Sequence, residues 1–376
     1  MNKVGIICEY NPFHNGHIYH LEKVKELFPD SYIVLVLVGN FTQRGDLSVI
    51  NKWDKTKIAL KYNIDLVVEL PFNIATSSAN YYAKGAIDIL NKLDCNYLVF
   101  GSETNDIDLF YELANITKNN KEYENNIKKY LDKGYNYPKA CSLALKDVSK
   151  KVIDKPNDVL ALEYVRSIIN TNSKIKPISI KRTNSYHEDE ITSNIASATS
   201  IRKNINNKKL IKNTLPKISL DLINDVDTNK YFEYLKYEII TNDNLNEIDG
   251  VDEGIENKLK KEIINCDNLE DFILKIKSKR YSYNRIKRML LHILTKTKKD
   301  YDKDIHYIRV LGFNDNGKKI LKEVKNNINM PIITKYKKEH DYLFKDDINA
   351  NKLYSLLTNY DVSNEYQSAI NKTSLK

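Results

Sequence analysis

The stretch VGIICEYNPFHNGH, residues 4–17, decides how this chain folds and what it binds. Residues 4–8 form a short apolar run, which is typical of a buried parallel strand. His14 and His17 follow, three residues apart, with Gly16 between them. If a helix begins here, the two imidazoles lie side by side, the glycine lets a ligand approach the backbone, and the first N–H groups attract anions. The sequence therefore predicts a phosphate site in which His14 and His17 are the catalytic donors.

Two other interpretations of this stretch remain open. The histidines could be structural groups at a helix start, or they could be two ligands of a metal ion. A zinc site uses at least three protein ligands, and we assign no third ligand to this pair. We therefore predict no dedicated protein metal site, and expect any Mg²⁺ to arrive with a nucleotide.

The segments that follow alternate between strand and helix patterns. Helical spacing occurs at residues 17–27 and 81–93, and buried-strand patterns occur at residues 32–38, 65–69, 97–100 and 177–182. This β-α-β rhythm predicts an α/β fold with a Rossmann-like, doubly wound parallel sheet. In such sheets ligands bind outside the carboxyl ends of the strands.

A second motif with phosphate chemistry, Ser197-Ala-Thr-Ser-Ile-Arg202, comes late in this region. The hydroxyls of Ser197 and Thr199 and the backbone N–H groups at a helix start can hold phosphate oxygens. Arg202 adds a planar fork of donors that suits phosphate. Alone, either hydroxyl would more often be a simple N-cap. Together with the histidines, the motif predicts a site for the outer phosphates of a nucleoside triphosphate.

The patterns divide the chain into three predicted regions. Residues 1–205 form an ATP-binding catalytic domain with a polar, helical insertion at about 104–150. Residues 206–300 form a mainly helical region. Residues 301–376, with strand patterns at 305–311 and 330–334 and helices at 315–325 and 348–357, form a small α/β unit.

Charge is concentrated in the C-terminal part. The chain has a net charge of +9, of which residues 1–200 contribute +1, with 25 basic and 24 acidic residues, and the remainder contributes +8. Such asymmetry suggests that one region binds a polyanion. Within residues 275–288, basic and aromatic side chains interleave, as in surfaces that contact phosphates and stack on unpaired bases. The tRNA-binding candidates are Lys275, Lys277, Lys279, Arg280, Tyr281, Arg285, Lys287 and Arg288. The alternative is the charged outer face of a core helix.

The four cysteines are far apart, without a CxxC pattern, which indicates reduced thiols and a cytoplasmic protein. No signal peptide is apparent. The longest apolar run near the N-terminus, residues 33–38, is too short to span a membrane. We therefore expect no membrane association.

HxGH after a first strand, with S-x-T-x-I-R late in the domain, resembles the adenylyltransferase branch of the HIGH-type nucleotidyltransferases. Longer strings resemble one family within it, the tRNA(Met) cytidine acetate ligases. The matching strings are GIICEYNPFHNGH (5–17), GNFTQRG (39–45), ELPF (69–72), FGSE (100–103), KPN (155–157), IASATSIR (195–202), GIEN (254–257), KRY (279–281) and VLGF (310–313). The resemblance therefore covers nearly the whole chain.

This resemblance implies a two-step reaction. ATP and acetate form acetyl-adenylate and pyrophosphate, and the acetyl group passes to N4 of the wobble cytidine of elongator tRNA(Met). The family's ATP contacts map onto Ile7, Cys8, Glu9, Tyr10, Asn11, Pro12, Phe13, His14, Asn15, Gly16, His17, Ile18, Tyr19, His20, Gly101, Asn157 and Arg182. Two positions depart from the family pattern: Asp46-Leu47 stands where Glu-Pro is expected, and Asp158 where a second asparagine is expected.

Simpler interpretations of individual positions remain. Gly101 could simply permit a turn, and Asn157 could simply cap a helix. Arg182 could be a surface charge, although its place at the end of a strand favours a position in the ligand site. Arg44 follows the second strand and could touch substrate, phosphate or tRNA. Two rival functions also remain: an adenylyl- or cytidylyltransferase of cofactor synthesis, and a non-catalytic RNA-binding protein with a nucleotide pocket.

Overall fold

The structure is a computed structural model that describes residues 1–182, 191 and 193–372. Its strands are β1 (Lys3–Cys8), β2 (Tyr32–Val38), β3 (Leu66–Leu70), β4 (Tyr97–Ser102), β5 (Lys176–Lys181), β6 (Ile308–Phe313), β7 (Ile332–Ile333) and β8 (Ile370–Asn371). The strands predicted from sequence are all present, with ends shifted by up to three residues. β8 was not predicted.

The helices of the first half are α1 (Asn15–Leu27), α2 (Lys52–Lys61), α3 (Phe72–Ala75), α4 (Ala79–Lys92), α5 (Ile107–Thr117), α6 (Lys121–Asp132), α7 (Tyr137–Ser149) and α8 (Pro156–Asn170). Those of the second half are α9 (Ala198–Lys203), α10 (Lys208–Ile211), α11 (Lys217–Asp221), α12 (Thr228–Thr241), α13 (Ile255–Ile263), α14 (Leu269–Ile276), α15 (Tyr283–Thr295), α16 (Asp315–Val324) and α17 (Asp341–Leu357). The expected polar insertion at 104–150 is thus the helices α5, α6 and α7.

One sheet runs through the molecule in the order β5-β4-β1-β2-β3-β6-β7, with β8 beside β6. Strands β1 to β5 are parallel, and β6 is antiparallel to β3. This confirms the predicted α/β fold with a doubly wound parallel sheet. The strand order reverses at β1, so the crevice at the carboxyl ends of β1 and β4 is the expected ligand site.

The sheet is buried on both faces, because its strands are almost wholly apolar. Every residue of β2, YIVLVLV, is buried. Alternate β2 side chains join different apolar clusters: Leu35 packs on the face covered by α1, α2 and helices α12 to α15, and Val36 on the face covered by α4, α5 and α8. This two-sided burial is the reason that the strands are continuous apolar runs in the sequence.

The C-terminal elements pack directly on the sheet. Helices α12, α13, α14 and α15 contact one another, and β6, β7 and β8 extend the sheet beyond β3. The division into three regions stays a prediction, and the structure adds that residues 308–313 belong to the same sheet as the N-terminal strands.

Within the described residues, no helix is long and apolar enough to cross a membrane. The cysteines Cys8, Cys95, Cys141 and Cys266 are all free thiols.

Candidate active site

A cavity of about 460 Å³ opens at the carboxyl ends of β1, β4 and β5. It is bounded by the loop after β1, the start of α1, the loop that follows β2, the start of α8 and the start of α9. This is the crevice that the doubly wound topology predicts. The two phosphate-type motifs, which are far apart in the sequence, meet across it.

The start of α1 fixes both histidines. His14 is the N-cap residue, and its Nδ1 accepts a hydrogen bond from the Gly16 N–H at 3.0 Å. The Nδ1 atom of His17 accepts from the His14 N–H at 3.2 Å, and the ring centroids are 3.9 Å apart. Because each Nδ1 accepts, each neutral ring carries its proton on Nε2. The capping arrangement thus provides two neighbouring Nε2–H donors at the cavity.

The backbone N–H groups of this helix start have partners within the protein. The N–H of Asn15 donates to the Thr214 carbonyl, that of Gly16 to the His14 ring, and that of His17 to the His14 carbonyl. The expectation of free backbone donors is therefore wrong for these three groups, because the His14 cap and the loop before α11 occupy them. The side chains are the donors that remain for a ligand.

Burial and nearby positive charge keep the imidazoles neutral. Burial, together with Arg182 and Arg202, lowers the pKa of His14 to about 3. Burial and the neighbouring His14 hold the pKa of His17 well below its usual value, and burial lowers the pKa of His20 to about 4. These rings are therefore uncharged hydrogen-bond donors near neutral pH, next to two guanidinium groups that carry the positive charge.

The second phosphate motif has the predicted local structure. Ser197 is the N-cap of α9, and its hydroxyl accepts from the Ser200 N–H at 3.0 Å. Arg202 donates to the Asn11 carbonyl at 2.7 Å, so α9 is tied to the loop that precedes His14. Ser197, Thr199 and Arg202 all line the cavity. Ser197 therefore both caps α9 and lines the cavity.

Several buried polar atoms at the cavity lack a hydrogen-bond partner among the described residues. They are Nδ2 of Asn11, Nε2 of His20 and Nε of Arg182. An unpaired buried donor costs free energy, and such atoms in a cavity are the groups that a polar ligand satisfies. The residues present thus fit a ligand with several acceptor oxygens.

Part of the cavity has an apolar wall. It consists of Val99 and Phe100 of β4 and Val159, Leu160 and Tyr164 of α8. Such a wall suits an aromatic base, whereas the histidines and arginines suit phosphates. Sequence reasoning missed these residues, because an apolar residue at a pocket has the same pattern as one in the core.

The cavity collects most of the predicted ATP-binding residues. Those that line it are Ile7, Cys8, Glu9, Tyr10, Asn11, His14, Gly16, His17, Tyr19, His20, Gly101, Asn157, Arg182, Ser197, Thr199 and Arg202. The predicted residues Pro12, Phe13, Asn15 and Ile18 do not line it. Phe13 is fully buried against Tyr10 and Tyr62, and the Asn15 amide donates to the carbonyls of Asn194 and Asn213. These residues hold the loop and α1 in place, and the ATP role of each stays a prediction.

Asp158 has a structural role at this edge of the cavity. Its carboxylate accepts hydrogen bonds from the hydroxyls of Ser102 and Thr104 and from the backbone N–H of Glu103. Burial alone would raise the pKa of Asp158, but these hydrogen bonds lower it. The departure from the family's asparagine therefore falls on a residue that joins the end of β4 to the start of α8, while Asn157 lines the cavity.

The loop after β2 connects the cavity to the basic helix α15. Gln43 and Asp46 line the cavity; Asp46 pairs with Lys287, and the Gln43 carbonyl accepts from Arg288 at 3.5 Å. Gly45 has a φ of +82°, and a Cβ there would lie 2.8 Å from the Arg288 backbone nitrogen. Only glycine therefore allows α15 to pack this closely on the loop.

Replacing Gly45 with alanine is expected to lower the free energy of unfolding by roughly 2–4 kcal/mol, because positive φ and a backbone clash both oppose the new Cβ. Gly134 is the matched control, since it has a φ of +78° and nothing within 4 Å of a Cβ. Denaturant unfolding of Gly134→Ala measures how much free energy of unfolding is lost when alanine adopts a positive φ without a clash. Equal losses in the two variants would contradict the close contact between the loop and α15.

The predicted tRNA-binding residues divide into three groups. Lys275, Lys277 and Lys279 are exposed, while Arg280 pairs with Glu253. Arg285 pairs with Asp252 and covers the Tyr281 ring. That ring is only 4% exposed, so Tyr281 packs inward. Lys287 and Arg288 contact the cavity loop, as described above. One residue of α15 that was not predicted, Asn284, lines the cavity itself.

Among the described residues, no group of three or more His, Cys, Asp or Glu side chains could hold a metal ion.

A strand-to-helix HxGH motif at the carboxyl edge of a doubly wound sheet, facing arginines and a second phosphate motif, defines the nucleotidyltransferase class. The family model described as HIGH Nucleotidyl Transferase matches residues 1–369, and the chain belongs to this family.

Individual relatives show which branch of this family the chain belongs to. Proteins named tRNA(Met) cytidine acetate ligase from Caldicellulosiruptor saccharolyticus and Anoxybacillus flavithermus are 42% and 38% identical over 378 residues, covering 95% and 94% of this chain and 94% of each relative. Crystal structures of Thermotoga maritima TmcAL, 29% identical, superpose with TM-scores of 0.90 (apo, 99% of both chains) and 0.85 (bound with alpha-thio ATP, 95% of this chain and 94% of that one). The chain therefore belongs to the tRNA(Met) cytidine acetate ligase family.

Proposed function

We propose that the protein activates acetate with ATP and transfers the acetyl group to N4 of the wobble cytidine of elongator tRNA(Met), giving N4-acetylcytidine. The observation that carries this proposal is the pair of neutral imidazoles, His14 and His17, beside Arg182 and Arg202 in one cavity. The chain is similar over nearly its full length to proteins named tRNA(Met) cytidine acetate ligase. This similarity supports a tRNA cytidine as the acceptor and acetate as the acid that is activated.

In the first step an acetate oxygen attacks the α-phosphorus of ATP, and pyrophosphate leaves. Negative charge develops on the phosphate oxygens, and donors fixed before the reaction stabilise it most effectively. The Nε2–H groups of His14 and His17 are such donors, because their rings are held by backbone hydrogen bonds. Ser197, Thr199 and Arg202 hold the departing phosphates. Mg²⁺ bound by the phosphates would neutralise part of their charge.

In the second step N4 of cytidine bonds to the acetyl carbonyl carbon, the bond from that carbon to the AMP oxygen breaks, and N4 loses a proton. No covalent bond to the protein is needed, since acetyl-adenylate is already activated. Two basic residues of segment 275–288, Lys287 and Arg288, contact the loop that lines the cavity. We propose that the exposed lysines of this segment bind tRNA phosphates.

Incubation with ATP, labelled acetate and total bacterial tRNA, followed by nuclease digestion, tests this function. Labelled N4-acetylcytidine that requires both ATP and acetate is the expected result. Release of pyrophosphate from a nucleoside triphosphate that needs no acetate and labels no tRNA would favour a small-molecule adenylyl- or cytidylyltransferase. Absence of any pyrophosphate release would favour the non-catalytic RNA-binding protein.

A further inference from the structure

Asn284 is the one residue of the helical region 206–300 that lines the nucleotide cavity; the other lining residues lie between Ile7 and Arg202. It belongs to the first turn of α15, and its side chain is exposed. Its amide makes no hydrogen bond to the described residues. A free amide group of the basic region thus borders the space in which acetyl-adenylate would form.

Contacts between α15 and the cavity loop fix the position of Asn284 relative to the cavity. Residues 284, 287 and 288 share one face of α15, because they are three and four positions apart. Lys287 pairs with Asp46, and Arg288 donates to the Gln43 carbonyl, both on the cavity loop. Since the Gly45 backbone packs against that of Arg288, the distance between helix and loop is set by direct backbone contact. This packing places the start of α15 at the cavity.

The hydrogen-bonding edge of cytosine matches the amide group of asparagine. In cytosine a donor, the N4 amine, is adjacent to an acceptor, N3. An asparagine amide pairs with such an edge through two hydrogen bonds, as it does with N6 and N7 of adenine. The base must also leave its stack to reach the activated acetyl group, so its pairing edge becomes available to the protein.

We propose that Asn284 is a specificity-determining residue that binds the acceptor cytosine, with Oδ1 accepting an N4–H and Nδ2 donating to N3. This proposal rests on the proposed function, because it requires that a cytidine enters the cavity. It assigns the recognition of the base to the start of α15 and leaves phosphate binding to the exposed lysines.

The test compares Asn284→Ala with a matched control, Asn257→Ala. Asn257 is likewise an exposed asparagine in the first turn of a helix of the same region, and it does not line the cavity. For the parent and both variants, the dissociation constant is measured for elongator tRNA(Met) that carries either cytidine or an abasic site at the acetylated position. The abasic tRNA retains the phosphate contacts and lacks the base.

The expected result is a loss of about tenfold in the affinity of Asn284→Ala for the cytidine tRNA, with little change for the abasic tRNA. Asn257→Ala should bind both as the parent does. An equal loss for both tRNAs would show that Asn284 acts on the helix or the tRNA backbone, and no loss would show no contact; either result overturns the proposal. If the parent itself makes no acetylcytidine, the proposed function fails first, and the two failures are thereby distinguished.

Discussion

Replacing His14 with alanine is expected to slow acetate-dependent exchange of pyrophosphate into ATP by about 100-fold or more. Loss of one fixed donor to a developing oxyanion typically has an effect of this size. The His14 ring is only 3.9 Å from that of His17, between centroids, so its removal leaves one fixed imidazole donor where there were two. The exchange assay measures the first step alone and needs no tRNA.

Alanine also removes the N-cap of α1, which by itself costs about 1 kcal/mol. The variant His14→Asn separates the two roles, because asparagine is a good N-cap but cannot provide the Nε2–H donor. We expect His14→Asn to unfold at nearly the same denaturant concentration as the parent and yet to be as inactive as His14→Ala. Normal exchange by the asparagine variant would mean that His14 serves only the helix start.

The neutral state of His14 also determines how acid acts on the protein. Its folded pKa, about 3, lies below the ordinary value of 6.5. The unfolded chain therefore binds more protons between these values, so the stabilising contribution is fully present above about pH 6.5 and is lost as the pH falls through this range. Denaturant unfolding measured as a function of pH tests this, since His14→Asn should remove the part of the dependence that His14 contributes.

The catalytic sheet and both phosphate motifs could be predicted because each depends on local sequence. The apolar runs of β1 and β2 are continuous since both faces of the sheet are buried, and His14 lies next to the strand that positions it. Arg202 was recognised by its motif, but its bond to the Asn11 carbonyl joins residues 191 positions apart and has no sequence pattern. The same limit applies to Asn284, whose neighbours give no sign of a cavity.

Helix α2 was not predicted from the sequence, and two of its lysines depart from the usual behaviour of lysine. Lysine is mostly exposed in folded proteins, yet the side chains of Lys52 and Lys55 are fully buried. The Lys55 amine donates to the carbonyls of Glu9, Val38 and Gly39, at the carboxyl ends of β1 and β2. Burial lowers the pKa of Lys55 to about 7. Long-range partners thus decide the burial of these lysines, and composition cannot reveal them.

Replacing Lys52 with methionine is expected to lower the free energy of unfolding by about 3–5 kcal/mol. The Lys52 amine contacts Glu69 at 2.8 Å and Glu365 at 2.6 Å, and all three side chains are buried. Arg309 also contacts both carboxylates, at 3.3 and 2.9 Å. Without Lys52, two buried carboxylates would share one guanidinium. Denaturant unfolding measures the loss.

Lys57→Met is the matched control on the same helix, because Lys57 pairs with Asp54 at 2.7 Å while remaining 46% exposed. Exposed pairs contribute at most about 1 kcal/mol. Similar losses for both variants would contradict the buried network. Adding Glu365→Gln to Lys52→Met removes one of the uncompensated charges and should recover part of the stability. Since Glu69 lies on β3, that recovery would show that Lys52 and Arg309 together balance the charges of Glu365 and Glu69 at the edge of the sheet.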